Sequence, residues 1–306
     1  MTVQSQPVPA RMVTDIPAAH PRVPYFDRMV SLLNSEAVPC RFEADGGLYA
    51  GRRALDAVAS GSVQMAWVNA AHLESIDPAL GALNLPFFLG DDVLADAARA
   101  DRALDLIDRL ASPAGMRVLG LMRGADQLFV SQRALPPGAG SMQGKRVRVA
   151  GPGIYEDIMR GLGAEPVAMP IPEIGNALAS GSFDCLFTSP GGWQTQLGMA
   201  APHALRVPGL MMINYVLLVH AGWYEQLGSH GQEVLRNAAQ HCVTHAWRAM
   251  EQDDRDVLDA MSQAGATIAV DEDSRAWRDK LAPIKARHFA QYSAASQGFR
   301  ELAGEC

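Results

Sequence analysis

The sequence has no apolar run approaching the roughly 20 residues that a bilayer crossing needs. Its longest, residues 210–220, carries Asn214 and Tyr215 and reads as a buried strand. Basic residues are outnumbered, 26 Lys and Arg against 33 Asp and Glu, for a net charge of −7. The basic face that nucleic acid requires is therefore missing, and no nucleic-acid partner is expected. Cysteine is scarce: Cys40, Cys185, Cys242 and Cys306 stand apart with no Cys-x-x-Cys spacing, which predicts unpaired thiols. Residues 1–9 hold no basic segment followed by an apolar stretch, so no signal peptide is visible and the residues alone leave the compartment open.

Cofactor and catalytic motifs fail in the same way. Gly144-Lys145 is followed by Arg146 where a phosphate-binding loop needs Ser or Thr, and Glu156 stands where a third glycine would complete a dinucleotide fingerprint begun by Gly151 and Gly153. There is no Gly-x-Ser-x-Gly elbow. His241 and His245 lie four apart on a predicted helix without the intervening acid of a zinc protease, and read as two ordinary helix histidines. Cys185, at a strand end, reads as a small buried residue rather than a nucleophile. Neither metal nor cofactor is expected, and the weight falls on binding rather than catalysis.

The balance of 48% hydrophobic and 19% charged residues over 306 positions is that of an ordinary globular protein of one large or two medium domains. Strands at 8–16, 39–44 and 63–68 alternate with helices at 25–34 and 52–60, the latter stopped by Gly61. That β-α-β-α-β grammar makes a parallel sheet with ligand sites at the carboxyl ends of its strands. A helix at 91–112 and a strand at 117–122 follow. Beyond the turn-rich stretch 135–141 the grammar repeats, with strands at 146–149, 165–170 and 183–188 and helices at 154–162 and 173–180. Two such units imply two α/β lobes with a cleft between them. A nearly unbroken helix at 230–265 exceeds the usual length of about 11–12 residues and is long enough to brace both lobes. A short strand at 266–270 and a helix at 274–292 close the chain.

The most informative segment is Gly144-Lys145-Arg146-Val147-Arg148-Val149, ahead of Gly151 and Gly153. Arg146 and Arg148 share one strand face, and Arg148 sits near the carboxyl end, where its planar guanidinium could accept a carboxylate through two parallel hydrogen bonds. On composition alone, a surface strand arginine is the favoured reading. In order after it come Gly161, Gly163, Glu165-Pro166, Pro170, Glu173, Ala177-Leu178, Gly181 and Asp184. Upstream stand Gly46-Gly47-Leu48, Arg52, Ser60-Gly61-Ser62 and Leu85-Pro86-Phe87-Phe88; downstream stand Asn214-Tyr215 and Trp223-Tyr224. This ordered set resembles the extracytoplasmic solute-binding subunits of tripartite ATP-independent periplasmic (TRAP) transporters, of the DctP type.

The resemblance implies an α/β, two-lobed periplasmic-binding-protein-like fold with a ligand cleft between the lobes and a long bracing helix. It divides the chain approximately into residues 1–125 plus 214–248 and residues 126–213 plus 249–306. It implies a monomeric, periplasmic, non-enzymatic protein that closes on a small carboxylate and delivers it to the TRAP membrane subunits. Arg148 falls where the family grips the carboxylate. The remaining contacts would come from His20, Trp67, Asn69, Phe87, Ser189, Trp193 and Asn214, with Asp126 in a place often basic or amide in relatives. If Asp126 faces the cleft, it would repel a second anionic group and favour a monocarboxylate; a one-residue slip would put Gln127 there instead. Competing readings are an enzyme using Cys185 or the His241/His245 pair on the same scaffold, and a ligand-sensing domain.

Overall fold

The computed structural model describes residues 9–36, 38–45, 48–151, 153–169 and 171–304. The expectations on Val8, Gly46-Gly47, Pro170 and the Cys306 thiol lie outside them. Cys40, Cys185 and Cys242 are free and buried.

Two sheets organise the chain. The first contains β1 (Ala10–Thr14), β2 (Cys40–Ala44), β3 (Met65–Asn69), β4 (Met116–Asp126) and β10 (Met212–His220) in the order β2-β1-β3-β10-β4. The second contains β5 (Leu128–Ser131), β6 (Arg146–Val149), β7 (Glu165–Ala168), β8 (Cys185–Thr188), β9 (His203–Arg206) and β11 (Thr267–Val270) in the order β11-β9-β5-β8-β6-β7. Within each sheet one long-range visitor runs antiparallel: β10 between β3 and β4, and β5 between β8 and β9. The helices are α1 (Val23–Ser35), α2 (Arg52–Ala59), α3 (Asp91–Leu94), α4 (Ala97–Ala111), α5 (Ile154–Gly161), α6 (Ile174–Ala179), α7 (Pro190–Gln196), α8 (Ala221–Gln226), α9 (Gly228–Gln263), α10 (Arg275–Gln291) and α11 (Ser293–Leu302).

The chain passes between the sheets at Gln127 and returns through residues 207–211. The two crossings lie side by side, because Gln127 N–H donates to the Met211 carbonyl at 3.0 Å. The third brace is α9, 36 residues and about 54 Å long. Its first half contributes Leu235 and Ala239 to the core under the first sheet, with Phe26, Met29 and Trp67. Its end contributes Leu258 and Met261 to the core under the second, with Leu128, Val130 and Leu186. A third and largest apolar cluster joins the opposite faces of the two sheets, from Val68 and Val216 to Val147 and Phe187. Strand alternation, with successive side chains on opposite faces, is what feeds a core on each side.

Several expectations on elements need correction. The helix expected over 91–112 is two, because Asp96 accepts the Arg99 N–H at 2.9 Å and caps α4 afresh. Strand β9, with Ala204 and Leu205 buried, carries no strong sequence pattern. The Trp193 stretch is helix rather than loop, since Ser189 Oγ accepts the Gly192 N–H at 2.9 Å and starts α7. The C-terminal stretch does not lie wholly with the second sheet: α11 packs on α4 of the first, Gly298 coming so close that a Cβ would strike Leu106.

A buried charge network ties α9 to the first lobe. Arg22 pairs with Asp253 at 3.3 Å and with Asp254, and donates to the Gly124 carbonyl; Arg123 pairs with Asp254 at 3.2 Å and Asp91 at 3.0 Å. Asp254→Ala leaves two buried guanidiniums each short of a carboxylate, and a loss of about 3 kcal/mol in urea unfolding is expected. A loss below about 0.5 kcal/mol would show the network to be energetically passive.

Candidate functional site

A cavity of about 650 Å³ opens between the sheets, within the usual range for small-molecule sites. Its walls come from the carboxyl ends of strands in both lobes: Asp15 and Ile16 after β1, Asn69 ending β3, Arg148 and Val149 in β6, Ala168 in β7, Thr188 ending β8 and Ser189 after it. This follows from the parallel βα units, which gather their loops at one edge of each sheet.

Arg148 is 3% exposed. Its Nε and Nη2 both donate to the Met169 carbonyl, at 3.2 and 2.9 Å. Of five N–H donors in a guanidinium, that leaves three for something else. Among the described residues three arginines are buried, and the other two, Arg22 and Arg123, each hold carboxylates. Arg148 has none, and burial lowers its pKa to about 10. A cation so placed remains charged at neutral pH at a desolvation cost that an anion would relieve.

Around it stand neutral hydrogen-bonding groups. Gln127 is 2% exposed, lines the cavity, and neither its Oε1 nor its Nε2 has a partner among the described residues. The buried Tyr155 hydroxyl lies beside Asn69 and Gln127, at no geometry that completes a hydrogen bond. His20 has its pKa pushed down to about 3 by burial and by nearby Arg22. Its Nδ1 accepts the Arg22 backbone N–H at 3.2 Å, which leaves Nε2–H as the donor.

Arg148, Asn69, Ser189 and His20 therefore meet in one cavity, as the resemblance implies, and five other residues do not. Trp67 lies deeper under the first sheet than Asn69 and stacks on Phe26 with ring centroids 5.6 Å apart, so it is core. Trp193 is buried in the second-lobe core and donates Nε1–H to the Ala201 carbonyl at 2.9 Å. Asn214 alternates with Ile213 and Tyr215, and those two line the cavity while Asn214 points away. Phe87 adopts φ +54° beside the return crossing, where its N–H donates to the Leu210 carbonyl and Arg278 covers its ring at 4.2 Å. Asp126 turns to Arg123 at 3.5 Å outside the cleft, and the next residue, Gln127, faces in. The repulsion expected from Asp126 thus has no basis.

Asp15, His72 and Glu74 escape the sequence reading, although Asp15 and the 70–75 turn directly follow the ends of β1 and β3, where ligand groups belong. Glu74 joins the lobes: its Oε2 accepts the Ile154 N–H at the start of α5 at 3.3 Å, and its Oε1 the Asn84 amide at 3.4 Å. Gly153, at φ +68°, is required here, since a Cβ would overlap the Glu74 carboxylate.

Comparison with known proteins agrees with this geometry. The profile of the DctP family, "Bacterial extracellular solute-binding protein, family 7", matches residues 14–292. The 2,3-diketo-L-gulonate-binding periplasmic protein YiaO of Escherichia coli K12 is 20% identical over 233 residues, which is 74% of this chain and 69% of that protein. Two solved structures share the fold. The sugar acid binding protein DctPAm of Advenella mimigardefordensis, in complex with galactonate, gives a TM-score of 0.87 at 20% identity, over 98% of this chain and 99% of the other. A TRAP periplasmic solute-binding protein of Chromohalobacter salexigens with bound D-glucuronate gives 0.88 at 17% identity, over 97% and 100%.

Burial raises the Glu74 pKa from 4.5 to about 7. Between those values the folded state holds more protons than the unfolded one, so stability falls as pH rises through the window and the cost is complete above it. Glu74→Gln is therefore expected to raise the melting temperature relative to the parent above pH 7 and to leave it unchanged below pH 4.5. A pH-independent difference in paired thermal melts would refute this account of Glu74.

Proposed function

Because the chain belongs to the DctP family, family 7 of the bacterial extracellular solute-binding proteins, we propose that it is the periplasmic binding subunit of a TRAP transporter. Its ligand is a small organic acid held through its carboxylate by Arg148. The observation that carries this is a buried guanidinium without a carboxylate, three N–H donors unspent, on the wall of the cleft between the sheets. Relatives named for diketogulonate, galactonate and glucuronate support an acid carrying hydroxyls.

Binding closes the lobes about the paired crossings at Gln127 and residues 207–211, because Arg148 comes from one sheet and Asn69 and His20 from the other. A ligand spanning both walls gains contacts only in the closed form, and that differential affinity shifts the population. The closed protein then presents its cargo to the membrane subunits. It acts as a monomer: the large apolar residues exposed among the described residues, Leu48, Met199 and Val270, come from three separate parts of the chain.

Catalysis by Cys185 or by the His241/His245 pair has little support. Cys185 is fully buried and its pKa is pushed up to about 12, so it offers no thiolate. His241 stands 3.4 Å from the Arg28 guanidinium on the surface of α9, a poor neighbour for a cation.

Arg148→Ala is expected to weaken binding of a galactonate-type acid by at least about 100-fold in calorimetry, the cost of losing a buried charge-assisted pair. The fold should persist in circular dichroism. Undiminished affinity in the folded variant would sink the proposal.

A further inference from the structure

The cleft holds one buried cation but more than one carboxylate. Asp15, just beyond β1, is 6% exposed and lines the same cavity as Arg148. Its Oδ2 accepts the Asn69 N–H at 3.0 Å and lies 3.1 Å from His72 Nε2, which fixes the carboxylate in place. Its Oδ1 is buried and has no partner among the described residues. Asp15 and Arg148 stand on walls from different sheets and form no ion pair with each other, so neither charge is spent on the other. A buried acceptor left open carries a desolvation cost that a ligand donor would relieve. Glu74 adds a second acidic group to the first-lobe wall.

We propose that Asp15 sets the specificity of the cleft: the part of the ligand remote from Arg148 must offer a hydrogen-bond donor, hydroxyl or ammonium, and a second carboxylate is excluded. This rests on the proposed gripping of one carboxylate by Arg148. A hydroxyl at Asp15 Oδ1 would complete the only shell that this carboxylate lacks, and Gln127, with donor and acceptor both unspent, would read a neighbouring hydroxyl. A diacid would bring its second charge against Asp15 with no guanidinium to receive it. Arg52, the other arginine on the rim, is mostly exposed and already paired with Asp56 at 3.2 Å.

The test compares open-chain acids that share a carbon skeleton and differ at one end: galactonate against galactarate, and gluconate against glucarate, each titrated calorimetrically into the whole protein. The parent is expected to bind each monoacid at least about 30-fold more tightly than its diacid, the scale of an uncompensated like-charge contact. Asp15→Asn keeps the size and one acceptor, and should bring that ratio to within about threefold while weakening the monoacid. Equal affinity of the parent for both members of a pair overturns the inference without needing any variant. An unchanged ratio in a folded Asp15→Asn protein overturns it as well. Arg148→Ala separates the two levels: if that variant still binds the monoacid, the carboxylate assignment fails and this inference falls with it. If it loses every acid while the Asp15 outcomes fail, the assignment stands and only the role of Asp15 is wrong. Failure of all four acids to bind the parent overturns both.

Discussion

A guanidinium buried without a carboxylate is the constraint around which the structure is arranged. Arg22 and Arg123 show how this protein treats a buried arginine when stability is the purpose: each is held by two or more acidic side chains. Arg148 receives only a carbonyl, from Met169 on the neighbouring strand connection. That carbonyl accepts from one edge of the guanidinium and orients it, while the remaining donors are left for an anion. In the proposed mode of binding, a carboxylate would recover the desolvation that lowers its pKa, and a cost to the empty protein would become affinity.

The lobes make such a site possible because neither sheet alone encloses it. Strand ends from both sheets supply its walls, and the chain crosses between them at two adjacent points, leaving a short, hydrogen-bonded waist. Two further ties limit how the lobes can move. Helix α9 seats one half in each core, and Glu74 reaches from the 70–75 turn to the first N–H of α5. The exchange of β10 and β5 as antiparallel strands is the topological counterpart of this arrangement: each lobe contains a strand that the other lobe's chain delivers.

The alternating elements, the two lobes and the long helix were readable along the chain, and the resemblance pointed to Arg148. Helix periodicity at Phe26, Met29, Val30 and Leu33, the stop at Gly61, and the repeated strand-helix grammar are local signals, and local signals survive in one dimension. Large aromatic residues were the least reliable guide. The resemblance put Trp67, Phe87 and Trp193 at the cleft, although core is the usual fate of such residues as Trp67 and Phe87, and packing assigned all three to core or crossing. Asp126 and Gln127 were separated by a single residue step, and a strand that reverses its facing at every position turns such a step into opposite sides of the molecule.

Hydrophobic spacing and glycine placement thus determined where elements begin and how they group into lobes, since those depend on neighbours within a few residues, whereas Arg148 was singled out by the family resemblance. Which polar groups share the cavity was decided only by tertiary structure. Asp15, Asn69, Glu74, Gln127, Arg148 and Ser189 are scattered over most of the chain. They meet because parallel strands bring their carboxyl ends to one edge, and their charge and hydrogen-bonding state follows from the burial that this meeting creates.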